Sequence, residues 1–337
     1  MKRWLIVISG ACLLFSGCAK IGQNERQHAV PVETPKQENK EPQQQKFVFP
    51  LTGLPAKTRP DHRVIAVMVN NHPKARPQSG LYKADVVYEV LAEGDITRFL
   101  ALYQSEFPEK VGPVRSARDY YIELSKGFHA LYICHGWSPE AKTMLESGEA
   151  DYLNGLFYDG TLFKRASFRK APHNSYITFA NIEKGATEKG YTMQDTVEPL
   201  PFFTNEAKGD VAQQVDISYS HRDYAHVQYK YDPNKKGYFR YSGGEQTVDY
   251  DTHIPVFVQN VFIVAATHTI ADGYGRRDID LTSGGHGYLF QNGTVKHVEW
   301  KNVNGRLLPY ENGVPIGFVP GKTWVNIVPT LDIVQYR

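Results

Sequence analysis

Val64-Ile-Ala-Val-Met-Val69, running straight into Asn70-Asn71-His72, is six apolar residues without a polar break followed by a polar loop. A strand with one wet face alternates polar and apolar residues. An unbroken run of this length reads instead as a strand in a sheet covered on both faces. Val86-Val-Tyr-Glu-Val90, Phe99-Leu-Ala-Leu-Tyr103 and Ala130-Leu-Tyr-Ile-Cys134 repeat the pattern nearby. Helical signals lie between and after them. Ser116 to Phe128 carries Tyr120, Leu124 and Phe128 at helical spacing behind Ser116, with Asp119 three residues on. Ser138-Pro139-Glu140 places a capping serine before a first-turn proline, and Phe179 to Lys189 is ended by Gly190. The interleaving predicts a mixed α/β layered domain over residues 47–201.

Beyond Pro201 the pattern changes. His226-Val-Gln-Tyr-Lys-Tyr231 and Tyr238-Phe-Arg-Tyr241 alternate with period two around Asp232-Pro-Asn-Lys-Lys-Gly237, which predicts an antiparallel hairpin. Val256 to Ala266, Gly287 to Gln291, Val295 to Trp300 and Trp324 to Val328 are further strands, punctuated by Asn292-Gly293, Asn304-Gly305 and Asn312-Gly313. Residues 202–337 therefore read as a predominantly antiparallel β domain, and the chain as a two-domain α+β protein.

The amino terminus gives an address. Met1-Lys2-Arg3 is cationic and Trp4 to Phe15 is an apolar run too short to span a bilayer, so residues 1–17 read as an export signal. Leu14-Phe-Ser-Gly-Cys18 resembles a bacterial lipobox, with Phe15 in place of the usual leucine. That implies cleavage before Cys18 and lipidation of its thiol. Residues 19–46 are rich in Gln, Glu, Lys and Pro and hold no aromatic residue, so with lipidated Cys18 they read as a disordered tether. Chain statistics give it a span on the order of 30 Å. The expected location is the extracytoplasmic face of a Gram-positive cell membrane, with the membrane itself as a partner through the Cys18 lipid.

Composition excludes several classes. A formal charge of +2 provides no global field for nucleic acid. Of the three cysteines, Cys12 leaves with the signal and Cys18 takes lipid, leaving Cys134 without an intramolecular partner. No disulfide framework is possible, and Cys134 in its apolar run reads as a buried hydrophobe. Zinc-protease, serine-hydrolase and phosphate-loop motifs are absent, no metal site is expected, and no cofactor is expected.

The candidate residues gather where the presumed strands of the first half end in polar loops, the place where open α/β sheets bind ligands. Arg115 and Arg118 straddle Ser116 at the expected start of a helix, where free N–H groups favour an anion. The competing reading pairs these arginines with Glu89, Glu93 or Asp95 as structural ion pairs. Lys164-Arg-Ala-Ser-Phe-Arg-Lys-Ala-Pro-His-Asn174 is a second basic stretch, either an anion clasp through Arg165, Arg169 and Lys170 or a solvated loop. Arg98 borders the strand that begins at Phe99. Asn70, Asn71, Asp95, His135, Trp137, His173 and Asn174 supply the other polar or aromatic positions of the expected pocket.

Pro50-Leu-Thr-Gly-Leu-Pro55, Val67-Met-Val-Asn-Asn71, Arg76-Pro-Gln-Ser-Gly80, Ala84-Asp-Val-Val-Tyr-Glu89, Ile96-Thr-Arg-Phe-Leu-Ala101, Gly112-Pro-Val-Arg-Ser-Ala-Arg118 and Arg169-Lys-Ala-Pro-His-Asn174 together resemble the YerB family of bacterial lipoproteins. The resemblance runs from about residue 49 to the C-terminus. It implies a surface lipoprotein of a Bacillus-like cell and a family of unknown function. In layout only, arginines in loops between strands are similar to the LytR-CpsA-Psr wall-polymer transferases, but Asp95-Ile-Thr-Arg98 departs from their motif in order and spacing.

The leading expectation is a non-catalytic lipoprotein that binds an anionic wall precursor, a wall polymer or a wall-synthesis protein. The alternative is a phosphotransferase-like enzyme on a polyprenyl-(pyro)phosphate-linked glycan. In it Arg98, Arg115, Arg118 and Arg169 stabilise phosphate charge and Asp95 holds magnesium.

Overall fold

A computed structural model describes residues 47–203 and 209–337. The expected signal, Cys18 and the tether through residue 46 lie outside the described residues. No helix among the described residues is long and apolar enough to cross a membrane.

The first half supplies β1 (Ile65–Asn70), β2 (Val86–Glu93), β3 (Ile96–Tyr103), β4 (Leu131–Cys134) and β5 (Tyr152–Asn154). Helices α1 (Asp119–Lys126), α2 (Pro139–Glu146), α3 (Gly155–Tyr158) and α4 (Phe179–Lys189) lie among and after them. The second half supplies β6 (Gln214–Ser218), β7 (His226–Asp232), β8 (Gly237–Ser242), β9 (Asn260–Ala265) and β10 (Gly285–Gln291). It continues with β11 (Thr294–Val303), β12 (Arg306–Glu311), β13 (Thr323–Val328) and β14 (Val334–Tyr336).

One sheet unites the halves, in the order Val314–Pro315, β12, β11, β10, β9, β13, β2, β3, β1, β4, β5. β13, from near the end of the chain, lies parallel to both neighbours, with Trp324 opposite Val261 of β9 and Val87 of β2. A second, antiparallel sheet joins Glu245–Gln246, β8, β7, β6 and β14. At the level of a two-domain, strand-rich chain with mostly antiparallel pairing, the expected order holds. The first half does not form a self-standing α/β layer, because β2 takes its outer partner from β13.

The unbroken apolar runs have the predicted cause. Along β1, Ile65, Val67 and Val69 enter one buried cluster, together with Ile182 of α4 and Val215, Ile217 and Tyr229 of the second sheet. Ala66 and Met68 enter another, with Tyr121 and Leu124 of α1 and Leu145 of α2. Each fully buried side chain of this size stabilises the fold by about 1.5–3 kcal/mol. Wetting either face of the sheet would remove that contribution.

Local signals mostly decide the ends of elements. Ser138 accepts from the Ala141 amide at the start of α2, and Gly190 at φ 71° ends α4. The three Asn-Gly pairs have positive φ at both residues, the geometry of tight hairpin turns. The helix expected from Ser116 starts instead at Asp119, with Arg118 as a cap whose side chain makes no capping bond. The reason lies in the backbone. Arg115 N–H donates to Met68 O, Ala117 N–H to Gly136 O, and His135 N–H to Arg115 O, so residues 115–117 are held extended against the sheet. Trp300 and Trp324 are fully buried and serve the core.

Candidate functional site

The polar loops after β1 and before α1 sit together, as expected, but their arginines divide into two groups. Arg98 Nη2 and Arg118 Nη2 both pair with Glu93. Arg98 Nη1 also donates to Ser116 O at 2.8 Å, and Ser116 Oγ donates to His135 O at 3.1 Å. These two guanidiniums and Ser116 therefore brace the segment before α1, and the anion site expected at a helix starting from Ser116 is not formed. Asp95 is occupied as well. Tyr224 Oη donates to both of its oxygens at 2.9 Å, and Ser220 and Arg222 contact it.

Arg115 is different. It is half-buried and has no carboxylate partner and no side-chain hydrogen bond among the described residues. Burial, with repulsion from Arg98 second, lowers its pKa to about 10. Nearby, His72 and His173 stack with ring centroids 4.4 Å apart. Asn70 Nδ2 donates to His173 Nδ1 at 2.9 Å, and the Lys74 amide donates to His72 Nδ1 at 3.1 Å, so both rings carry their proton on Nε2. Burial first, then His72, Arg115, Lys74 and Arg169, depresses His173 to about 4. His72 is lowered by burial and then by Lys74, Arg76 and Arg115. Two neutral imidazoles thus sit amid cations that no acid offsets locally.

The second basic stretch borders this place. Arg169 donates to Tyr176 Oη and to Pro77 O, each at 2.6 Å. Arg165 pairs with Asp159 and donates to Asn174 Oδ1 and His135 Nε2, while His135 Nδ1 meets Ser175 Oγ at 2.7 Å. Asn174 Nδ2 donates to Ala166 O and Arg169 O, holding the loop's shape. Lys170 is exposed on that loop. Trp137 packs edge-on against Tyr152 and Phe157, an architectural role.

A fully buried ion pair is not legible in the sequence. Glu89 in β2 and Arg240 in β8 form an ion pair with side chains 0% and 1% exposed. Thr97 Oγ1 and Trp324 Nε1 also donate to Glu89, each at 3.0 Å, and Arg240 Nη1 donates to Thr247 Oγ1 at 2.8 Å. The guanidinium lies over the Phe99 and Trp324 rings. Glu89, a candidate partner for Arg115 or Arg118 by sequence, pairs with Arg240 instead. A lone acid inside an apolar strand was the available signal, since a buried charge requires a counter-charge.

Beside this pair a cleft of about 500 Å³ opens between the loop 71–78 and the β7–β8 sheet, with Asn71, Arg76, Gln78, Tyr224, Arg240 and Thr247 in its lining. Arg76 Nε donates to Asn71 O and Oδ1 at 3.1 and 3.0 Å, and Nη1 to Tyr224 O at 3.0 Å. Burial, and next the charge of Arg240, lowers its pKa to about 10.

Comparison with known proteins gives a family without an activity. Residues 51–192 match the family described as "Protein of unknown function (DUF3048) N-terminal domain", and residues 215–325 its C-terminal counterpart. The chain is 50% identical over 335 residues to "Putative lipoprotein YerB" of Bacillus subtilis (strain 168), covering 98% of this chain and 97% of that one. The crystal structure of the YerB protein from Bacillus subtilis superimposes with a TM-score of 0.82 at 53% identity, covering 87% of this chain and all of that one.

Proposed function

Since this chain belongs to the DUF3048 family of proteins of unknown function, we propose a function from its own site: a lipid-anchored extracytoplasmic protein that binds an anionic cell-envelope ligand at the Arg115 face. One observation carries the reading. Arg115 is a half-buried guanidinium without an acid among the described residues; Arg98 repels it, and its own charge bears on His72 and His173 together with that of Lys74. Leaving a cation partly desolvated and unpaired costs stability, and a phosphate or carboxylate arriving from solution would supply the missing bidentate partner. An anion there would also favour the protonated form of His173, whose Nδ1 takes the proton when the Asn70 amide turns away.

The name of the Bacillus subtilis relative supports the lipid anchor, and the leader ending at Cys18 supports the membrane's outer face. Ligands reachable from such an anchor include membrane-linked wall precursors and wall polymers. No observation favours phosphotransfer. Arg98 and Arg118 are committed to Glu93, and the carboxylate that reading would give to magnesium, Asp95, is engaged by Tyr224.

The test is calorimetry of the folded body, residues 47–337, with inorganic pyrophosphate and with purified teichoic acid. Saturable binding that Arg115→Gln abolishes supports the reading. Binding indifferent to Arg115→Gln, or no binding of either probe, ends it.

A further inference from the structure

The lining of the cleft at Arg76 includes none of Arg115, His72, His173 and Arg169, and its charge pattern differs from theirs. At its base Arg76 uses Nε and Nη1 on backbone and amide oxygens, leaving Nη2 without a hydrogen bond, and no carboxylate lies within ion-pair distance among the described residues. Arg240 and Glu89 cancel each other beneath it. Arg240 is held by Glu89 and Thr247 and is not available to a guest, so the guanidinium nitrogen the cleft offers is Arg76 Nη2.

The other lining residues carry the opposite sign. Asp223 and Glu245 bring two carboxylates to the lining, and Glu245 acts electrostatically on Arg76. Such a cleft repels a polyanion at its acids and a simple cation at Arg76. A ligand bearing one carboxylate and one ammonium satisfies both ends. Pro73, Pro77 and Val248 supply apolar surface between polar groups, and the volume is within the range of small-molecule sites.

We propose that this cleft binds an α-amino acid or short peptide as a zwitterion, with the carboxylate on Arg76 Nη2 and the ammonium toward Glu245 and Asp223. Arg suits the carboxylate because its planar fork matches two oxygens.

The body comprising residues 47–337 is part of one compact unit, and the crystallised relative corresponds to 87% of this chain, so the body folds without its leader. Calorimetry on that body would use dialanine, trialanine, N-acetyl-dialanine and dialanine amide. The zwitterions should bind at least about tenfold tighter than either capped form, a difference of roughly 1.4 kcal/mol. Glu245→Gln should erase the advantage of the free amine over the acetylated form, and Arg76→Gln the advantage of the free carboxylate over the amide. Arg76 also bonds backbone, so that variant is read only after its unfolding midpoint is measured; Glu245 is exposed and decides the matter by itself. Absence of binding by dialanine and trialanine, or equal affinity of free and N-acetylated peptide, overturns the proposal. Pyrophosphate binding is measured in parallel and stands or falls with Arg115 alone.

Discussion

Glu89 and Arg240 lie 151 residues apart, yet a single nitrogen, Arg240 Nη2, donates to both Glu89 oxygens at 3.0 and 2.9 Å. The pair fastens β2 of the main sheet to β8 of the second sheet where neither can reach water. Removing one partner leaves the other charge buried, which typically costs about 3–5 kcal/mol, whereas replacing both with apolar residues is often neutral. Urea unfolding should show that loss for Glu89→Ala and recover most of it in Glu89→Leu with Arg240→Met. A single-variant cost under about 1 kcal/mol would contradict the role assigned to the pair.

Arginines close in sequence should behave oppositely. Arg115 makes no bond to lose and its desolvated charge is unfavourable, so Arg115→Gln should leave stability unchanged or raise it by up to about 1 kcal/mol. Glu93→Gln loosens both Arg98 and Arg118 and should cost about 1–3 kcal/mol. Denaturant midpoints of the two variants separate structural from ligand-facing charge.

The stacked histidines make the Arg115 face sensitive to pH. His173 titrates near 4 in the folded protein, against 6.5 ordinarily. Between those values the unfolded chain holds the extra proton, so this group's share of stability is full above pH 6.5 and is lost as pH falls toward 4. An anion beside the ring raises its pKa, so binding takes up protons. Affinity for sulfate, whose charge is constant in this range, should rise by a factor on the order of ten from pH 7 to pH 5. His173→Gln should flatten the profile, and a flat profile in the unmodified protein would sink this account.

Gly155 begins α3 directly against His135, and a Cβ there would lie 2.2 Å from the imidazole Nδ1. Gly155→Ala must therefore displace the ring from Ser175 and Arg165, with an overpacking cost of about 1–3 kcal/mol. Thermal unfolding measures the cost, and loss of the His135 imidazole shift in NMR reports the displacement.

Cys134 is fully buried and burial pushes its thiol pKa well up, so it has little thiolate to react. A thiol-specific reagent should label the folded body only at the rate of unfolding. Fast labelling in native buffer would show that β4 opens locally.

Much of this was legible in the residues because the signals are local. Apolar runs located β1 to β4, Ser138 and Gly190 marked helix ends, and Asn-Gly pairs marked hairpins. The partners of charges were not local. Ser116 has the composition of a cap, but the Arg115 and Ala117 amides donate to Met68 O and Gly136 O and keep its neighbours extended. In Tyr238-Phe-Arg-Tyr241 the period of two is plain and the phase is not, since aromatic and Arg side chains can face either way. The structure buries Tyr238, Arg240 and Ser242 and leaves Phe239 and Tyr241 partly exposed. The cleft is not legible in the sequence, because its lining joins Arg76 of one half to Arg240 of the other.

β13 lies more than 200 residues after β2 in the chain and fills the gap between β9 and β2. Until it arrives, the first half presents β2 as an open edge of unpaired backbone, the kind of surface that recruits stray strands. Completion of the main sheet must therefore wait until residues 323–328 are available to pair on both sides. Truncation before Thr323 should yield an aggregating product rather than a shortened working protein.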